Sequence, residues 1–442
     1  MNYFFSISAA LLLLGCSSVN VNNNSKHNIN GLSDISQDIS NYSSGVADKV
    51  TYIPYQNVYE EIYFLPWKFI NAPYSLKEIL WPYRIYEKGE AFAENLQFID
   101  KQWFSTIKEY GNYGNFDTQK LYAISKRFSH LRSFATDRPL FRDPNKAGEG
   151  FPFDYLQNSA VHANEPLYLS HYSKDKKWSY VFTAYASGWL LSHDIQTIPS
   201  KYISQYKQSK LAYIIKENIS IQNIDRKFLV ETRIGSSFAM VKSEQLSDKT
   251  TVLISSEIGG KKYHNVNISN KVISSKKLEI NSNNMNKIIS EFIGQKYGWG
   301  GMYEDRDCSS TLRDIFAPFG IWLPRNSYQQ SQIGKVFSFE TMTKIEKEKA
   351  IKKYAVPFET LLYKKGHILL YLGTKYNSKT ENIDIIVLHN MWGIRTLNGD
   401  TYGRIIIGKT VISNLEIGNK EENFDPKSDM LESLKSMNII TQ

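Results

Sequence analysis

The chain opens on a short apolar run, MNYFFSISAALLLLGC, which ends in Leu13-Leu14-Gly15-Cys16. At about 12 apolar-rich residues it is too short to span a bilayer, and reads as a processing signal over residues 1–15 rather than part of a fold. Residues 16–50 are rich in Asn and Ser with little to bury, the pattern of a flexible tether. From 51 to 150 aromatic residues recur at helical spacing, as in 87–110 (Phe92, Leu96, Ile99, Trp103, Phe104, Ile107) and 118–132, and predict a mostly helical unit. The two prolines of Arg138-Pro139-Leu140-Phe141-Arg142-Asp143-Pro144 mark its boundary. The pattern then changes to short β-type runs between turn residues: PLYLSHYS (166–173), WSYVFTAYASGWLL (178–191), KFLVETR (227–233), SFAMVK (237–242) and TTVLIS (250–255). Two small barrels fit, over 151–210 and 211–281. A last α+β unit covers 285–415, with a helical run at 287–296 and strands at 366–372, 385–389 and 404–410. Residues 416–442 read as a C-terminal tail.

A length of 442 residues exceeds one ordinary core, and the 42% hydrophobic and 14% aromatic content suffices for several. The 53 basic and 44 acidic residues leave a net charge of +9, but the lysines are scattered, so nucleic acid is not the expected partner. A zinc-type cysteine/histidine cluster, a phosphate-binding Gly-rich loop and a dinucleotide fingerprint are all missing from the sequence, which predicts no cofactor and no metal.

Cys16 and Cys308 are the two cysteines. The Leu-Leu-Gly-Cys ending resembles a bacterial lipobox, which implies cleavage before Cys16 and lipid attachment to its sulfur. Each buried methylene contributes about 0.8 kcal/mol, so several acyl chains would hold the protein on a membrane. Export would favour disulfides, yet Cys308 has no partner. In the first barrel the order of strand, Asp175-containing turn, Trp178, strand and Gly188-Trp189 resembles a bacterial SH3 domain. Trp178 and Trp189 are expected to be core residues.

Cys308 precedes Leu312, Ile315, Phe316 and Phe319, the buried stripe of an amphipathic helix opened by Ser309, Ser310 and Thr311. A thiol at a helix N-terminus feels the positive end of the dipole, which favours thiolate, so Cys308 reads either as a nucleophile or as an inert buried residue. A thiolate hydrolase needs a base, usually histidine, and a group that orients it. His367 and His389 lie on the predicted strands. If a hairpin pairs Leu372 with Ile385, His389 falls opposite Ile368 and the two histidines come within one residue of facing each other. Asn390 is the second candidate orienter. Trp299 and Trp392 read as core packing before cleft lining, Glu304 and Arg306 as a solvated pair, and Arg325 as either a substrate contact or an anchor of its own loop.

Tyr297-Gly298-Trp299-Gly300-Gly301, Asp307-Cys308-Ser309, Leu323-Pro324-Arg325-Asn326-Ser327 with Gln329 and Gln330, and Gly366-His367 together resemble, in order and spacing, the NlpC/P60 cell-wall peptidases, in particular their multidomain SH3-containing members. The resemblance covers 285–415 well and implies a papain-like α+β fold, preceded by the two SH3-like barrels and the helical N-terminal unit. It implies Cys308 as nucleophile, His367 as base and His389 as orienter, with Tyr297, Asp307 and Ser309 holding a free L-Ala amino end. Two departures stand out: no glycine follows Asp307-Cys308-Ser309, and the stretch from His367 to His389 is long. The expected function is hydrolysis of the γ-D-glutamyl-diaminopimelate bond of peptidoglycan stem peptides, by a protein lipid-anchored through Cys16 to an envelope membrane facing the periplasm, the outer membrane before the inner. The competing expectation is a non-catalytic murein-binding lipoprotein.

Overall fold

The computed structural model describes residues 29–43, 58–146, 148–241, 248–258 and 260–441. Cys16 and residues 1–15 lie outside them. Among the described residues no helix is long and apolar enough to cross a membrane.

The N-terminal unit contributes four short helices, α1 (Tyr59–Tyr63), α2 (Leu76–Ile79), α3 (Trp81–Tyr86) and α4 (Lys101–Tyr110). Ser75 and Glu78 close a capping box at α2, and Asp100 caps α4 by accepting from the Trp103 N–H. None is long enough to be stable alone, and they are held by burying aromatic faces. Tyr83, Tyr86 and Phe104 pack with Phe134, Tyr180, Trp178 and Trp189 of the first barrel. Both tryptophans are therefore core residues, buried to 5% and 0% exposure.

The stretch 118–132 is not helical. It forms β1 (Leu121–Ser125) and β2 (Ser129–Arg132), which belong to the first barrel. These strands are covered on both faces: Ile124 meets the N-terminal aromatic cluster while Ala123 and Leu131 meet the barrel interior. Burial on two sides removes the period-two alternation that marks a strand in sequence. The sheet continues with β3 (Gln157–Val161), β4 (Pro166–Tyr172), β5 (Trp178–Phe182), β6 (Ser187–Leu191) and β7 (Ile195–Thr197), in the order β3-β2-β6-β5-β4-β1-β7. After α5 (Ser200–Gln208) the second barrel comprises β8 (Leu211–Ile214), β9 (Ile219–Gln222), β10 (Phe228–Thr232), β11 (Ser237–Ala239), β12 (Lys249–Ile258), β13 (Lys261–Ser269) and β14 (Ile273–Ser274), closed around Phe238, Val252 and Ile254.

The C-terminal unit begins with α6 (Ser282–Ile289) and α7 (Cys308–Phe316). Its antiparallel sheet comprises β15 (Lys335–Ser338), β16 (Thr360–Lys364), β17 (His367–Asn377), β18 (Asn382–Asn398), β19 (Thr401–Asn414) and β20 (Leu434–Ile439), in the order β15-β20-β16-β17-β18-β19. Leu312, Ile315 and Phe316 of α7 pack on Ile368, Leu370, Leu388 and Ile412, the near face of the sheet. The far face is covered by α9 (Lys344–Tyr354), which follows the short α8 (Ser327–Gln330).

Two assignments from the sequence change here. Residues 416–442 are no tail, because β20 is an inner strand hydrogen-bonded to both β15 and β16. Residues 29–43 are no free tether: Ile35, Ile39 and Tyr42 enter the α7 core, and Ile29 the far-face core. The Gln37 amide donates to Ile412 O at 2.7 Å and accepts from Ile412 N at 2.9 Å, while Asn414 N donates to Gly31 O at 2.9 Å. The polar residues that suggest a tether in the sequence thus satisfy the open edge of β19.

Candidate active site

The N-terminus of α7 is built by Asp307, whose Oδ1 accepts from Ser310 N at 2.8 Å while Ser310 Oγ accepts from Asp307 N at 2.9 Å. This reciprocal cap places Cys308 at the first helical position, 7% exposed. The backbone N–H groups of Ile368 and Ser309 bond to its sulfur. Burial, with the Asp307 carboxylate next to it, nevertheless pushes the thiol up to about 12, against the pull of those N–H groups and of Arg325. The resting group is a thiol. Desolvation outweighs the pull of the helix dipole toward thiolate.

The histidines meet through a register different from the expected one. Thr374, not Leu372, pairs with Ile385, and a bulge at Leu372 resets the ladder to Leu370↔Leu388. Continued by one residue, this places His389 opposite Leu369, on the same face as His367 two residues along. His367 Nε2 and His389 Nδ1 are 2.9 Å apart, and His389 Nε2 lies 3.0 Å from Ser413 Oγ. The Ser413 hydroxyl donates its one hydrogen to Asn414 O at 3.0 Å, so it accepts from His389 Nε2–H. His389 Nδ1 then carries the lone pair and receives the His367 Nε2 proton. His367 Nδ1 is left with a free lone pair. Burial, then His389 and Lys364, depress His367 well below the usual histidine range, and burial with Lys364 takes His389 to about 3, so both rings are neutral at pH 7. Asn390 faces elsewhere: its amide donates to Arg306 O at 2.7 Å and Thr311 Oγ1 at 3.2 Å, tying down the start of α7.

Asp307, Ser309 and Arg325 form one buried cluster. Arg325 donates to both Asp307 oxygens, at 3.2 and 2.7 Å, to Ser309 Oγ at 3.0 Å and to Ser159 Oγ of β3 at 2.7 Å. Against burial, which would raise it, Arg325 holds the Asp307 carboxyl below its ordinary value. The Asp307 charge is therefore already paired. Tyr297 is half-buried, and burial with Cys308 and Asp307 nearby pushes its phenol far up, so it remains a donor.

The loop before Asp307 is a seam between units. Gly300 and Gly301 have φ of 60° and 91°, and a β-carbon on them would lie 2.6 Å from Gln157 O and 2.6 Å from Ala160 Cβ of β3. Arg306 is no solvated residue: 2% exposed, it pairs with Glu217 of the second barrel at 3.0 Å and with Asp314 of α7 at 2.6 Å. Asp314 also meets His162 of the first barrel at 3.0 Å.

A cleft of about 750 Å³ opens in front of His367. Part of its lining is aromatic, with Tyr297, Trp299, Trp392 and Phe153 of the first barrel, so the two tryptophans line the cleft and are only half-buried. The Trp299 indole donates to Asp154 O at 3.0 Å, joining that part to the barrel. Another part of the lining is basic, with Lys364, Lys365, Arg395, Arg404, Lys427 and Lys435. Sequence reasoning missed Ser413 because a serine on a strand carries no signal without its register. It also missed Lys364, whose lysine-rich turn to His367 looks like ordinary solvated charge.

Family models match the four units in order: an NLPC_P60 stabilising domain at 5–116, an SH3 domain of SH3b1 type at 139–191, an SH3 domain of SH3b2 type at 200–245 and the NlpC/P60 family at 294–399. No curated protein matches the chain. The fold is similar to that of an NlpC/P60 endopeptidase from Photobacterium damselae subsp. piscicida, at 24% identity and a TM-score of 0.78, over 92% of this chain and 98% of that one. An NlpC/P60 family protein from Bacillus cereus ATCC 10987 aligns at 12% identity and a TM-score of 0.45, over 73% of this chain and all of its own. The chain thus carries an NlpC/P60 domain together with an NLPC_P60 stabilising domain and two SH3 domains of SH3b type.

Proposed function

We propose that the protein is a cysteine endopeptidase that hydrolyses the γ-D-glutamyl-diaminopimelate bond of murein stem peptides. The observation that carries this reading is the hydrogen-bonded line Ser413–His389–His367, which ends one residue from the Ile368 N–H on the Cys308 sulfur. In that reading His367 Nδ1 takes the thiol proton as Cys308 adds to the scissile carbonyl, so no resting thiolate is required. The backbone N–H groups at the start of α7, with the Tyr297 phenol, stabilise the oxyanion. His367 then protonates the leaving amine, and water, deprotonated by the same ring, cleaves the thioester.

The reading extends to a preference for stem peptides with a free L-Ala amino end. What supports it is that the first barrel is tied to the loops around Cys308, through Arg325 on Ser159 and Trp299 on Asp154, and contributes Phe153 to the cleft lining, which limits the room for a peptide that continues into glycan. Asp307 contributes by fixing that tie through Arg325, and Ser309 by sharing the guanidinium. Lipidation of Cys16 would place the enzyme in the envelope, facing murein from the periplasmic side. The test is mass spectrometry of purified murein and of free stem peptides after digestion. Release of fragments beginning at diaminopimelate, abolished in Cys308→Ala, supports the reading; full activity of that variant would overturn it. Equal rates on free and glycan-attached peptides would remove the amino-end preference.

A further inference from the structure

The basic wall of the cleft has no counterpart in the chemistry assigned above. Six cationic side chains line the cleft, and Glu432 is the one carboxylate among its described lining residues. Arg395 is neutralised by buried Asp425. Among the described residues Lys364, Lys365, Arg404, Lys427 and Lys435 make no ion pair, although they come from four separate segments: the end of β16 with the turn after it, β19, the loop before β20, and β20 itself. Arg404 and Lys364 are half-buried rather than solvated. Burial and then the neighbouring guanidinium of Arg395 lower both, Lys364 to about 8, against a smaller opposing pull from Asp429 on Lys364 and from Asp425 on Arg404. Like charges that repel one another in a partly desolvated groove raise the energy of the empty site, and an anion in the groove relieves it. The aromatic residues of the lining, Phe153, Tyr297, Trp299 and Trp392, carry no charge, so the cleft offers both stacking surfaces and cations to a bound peptide.

We infer that this basic wall is a carboxylate-binding subsite for the leaving side of the substrate, with Arg404 its central residue and Lys427 and Lys435 at its rim. The inference rests on the bond assignment proposed above. Diaminopimelate brings a side-chain carboxylate and, where it ends the peptide, a second carboxylate to the leaving side, whereas the acyl side brings the single α-carboxylate of D-glutamate. Arg404 reaches toward the first barrel, its guanidinium 3.3 Å from where a β-carbon on Gly148 would lie, so the subsite is bounded and not an open basic surface.

Binding tests this without turnover. The full chain carrying Cys308→Ala is titrated by calorimetry with L-Ala-γ-D-Glu-diaminopimelate as the free acid, with both diaminopimelate carboxyls amidated, and with only the D-glutamate α-carboxyl amidated. The free acid is expected to bind about tenfold tighter than the leaving-side amide, the size of one good charge-assisted contact. The glutamate amide is expected to match the free acid. Adding Arg404→Gln should erase the discrimination, Lys435→Gln should reduce it, and 0.5 M salt should weaken it. Equal affinity for acid and leaving-side amide overturns the inference, as does loss confined to the glutamate amide, which would turn the basic wall toward the acyl side. Wild-type cleavage of the free acid, followed in parallel, judges the bond assignment by itself: cleavage elsewhere sinks that assignment, while the binding comparison still judges the subsite.

Discussion

Ser413→Ala removes one hydroxyl that touches neither thiol nor cleft, and should nonetheless slow the reaction. Ser413 Oγ accepts from His389 Nε2 at 3.0 Å and is 0% exposed, so its loss leaves a buried imidazole N–H without a partner. Leaving such a donor unsatisfied costs about 1–3 kcal/mol. His389 escapes that cost by moving its proton to Nδ1, which then confronts the His367 Nε2 proton across 2.9 Å. His367 must in turn shift its proton to Nδ1, the nitrogen that would accept from Cys308. A stabilisation of about 1–2 kcal/mol for the productive tautomer therefore disappears, which corresponds to a fall in kcat of roughly 5- to 30-fold. KM should change less than twofold, because Ser413 makes no contact with the cleft. Steady-state cleavage of a free stem tripeptide gives both constants, and Ser413→Thr, which keeps the hydroxyl, should recover most of the rate. An unchanged kcat in Ser413→Ala, with thermal stability equal to wild type, would refute the tautomer chain.

Other outcomes follow from the same geometry. His171 and His389 are depressed by burial to about 4 and about 3, and His367 lies well below 6.5, so below pH 6.5 the unfolded chain binds protons that the folded chain refuses. Stability should be full above pH 6.5 and fall as the pH drops toward 4, by up to about 1.4 kcal/mol per pH unit for each such histidine, measured by urea unfolding across pH. For the same reason the acid limb of kcat/KM should lie below the ordinary histidine range. Glu217→Ala leaves Arg306 buried without one of its two carboxylates and should cost about 3–5 kcal/mol, read as a large drop in the unfolding midpoint. Gly301→Ala imposes a left-handed φ of 91° on a residue with a β-carbon, 2.6 Å from Ala160 Cβ, and should raise proteolytic cleavage at the seam between first barrel and C-terminal unit.

Much of this architecture is legible in the sequence wherever one face of an element is buried and the other is wet. The α7 stripe and its polar cap are of that kind. Strands β1 and β2 are not, since apolar residues on both faces imitate helical spacing. The docking of 29–43 was hidden because three isoleucines and a glutamine suffice once an edge strand supplies the partners. Within the site, Cys308 stands out by its place at the start of an amphipathic helix, and His367 and His389 by their place on the predicted strands downstream. Their protonation states do not, because burial reverses the thiolate that the helix dipole suggests, and the histidine tautomers hang on the Ser413 hydroxyl.

The inner position of β20 also governs when the sheet can exist. Strands β15 and β16, about 25 residues apart in sequence, meet only through a strand made roughly 75 residues after β16, and the edge of β19 waits on Gln37, made 375 residues earlier. Pairings so distant along the chain form late. A chain short of residue 434 holds Cys308, His367 and His389 but no completed sheet to align them, so the site is expected to form only once β20 is in place.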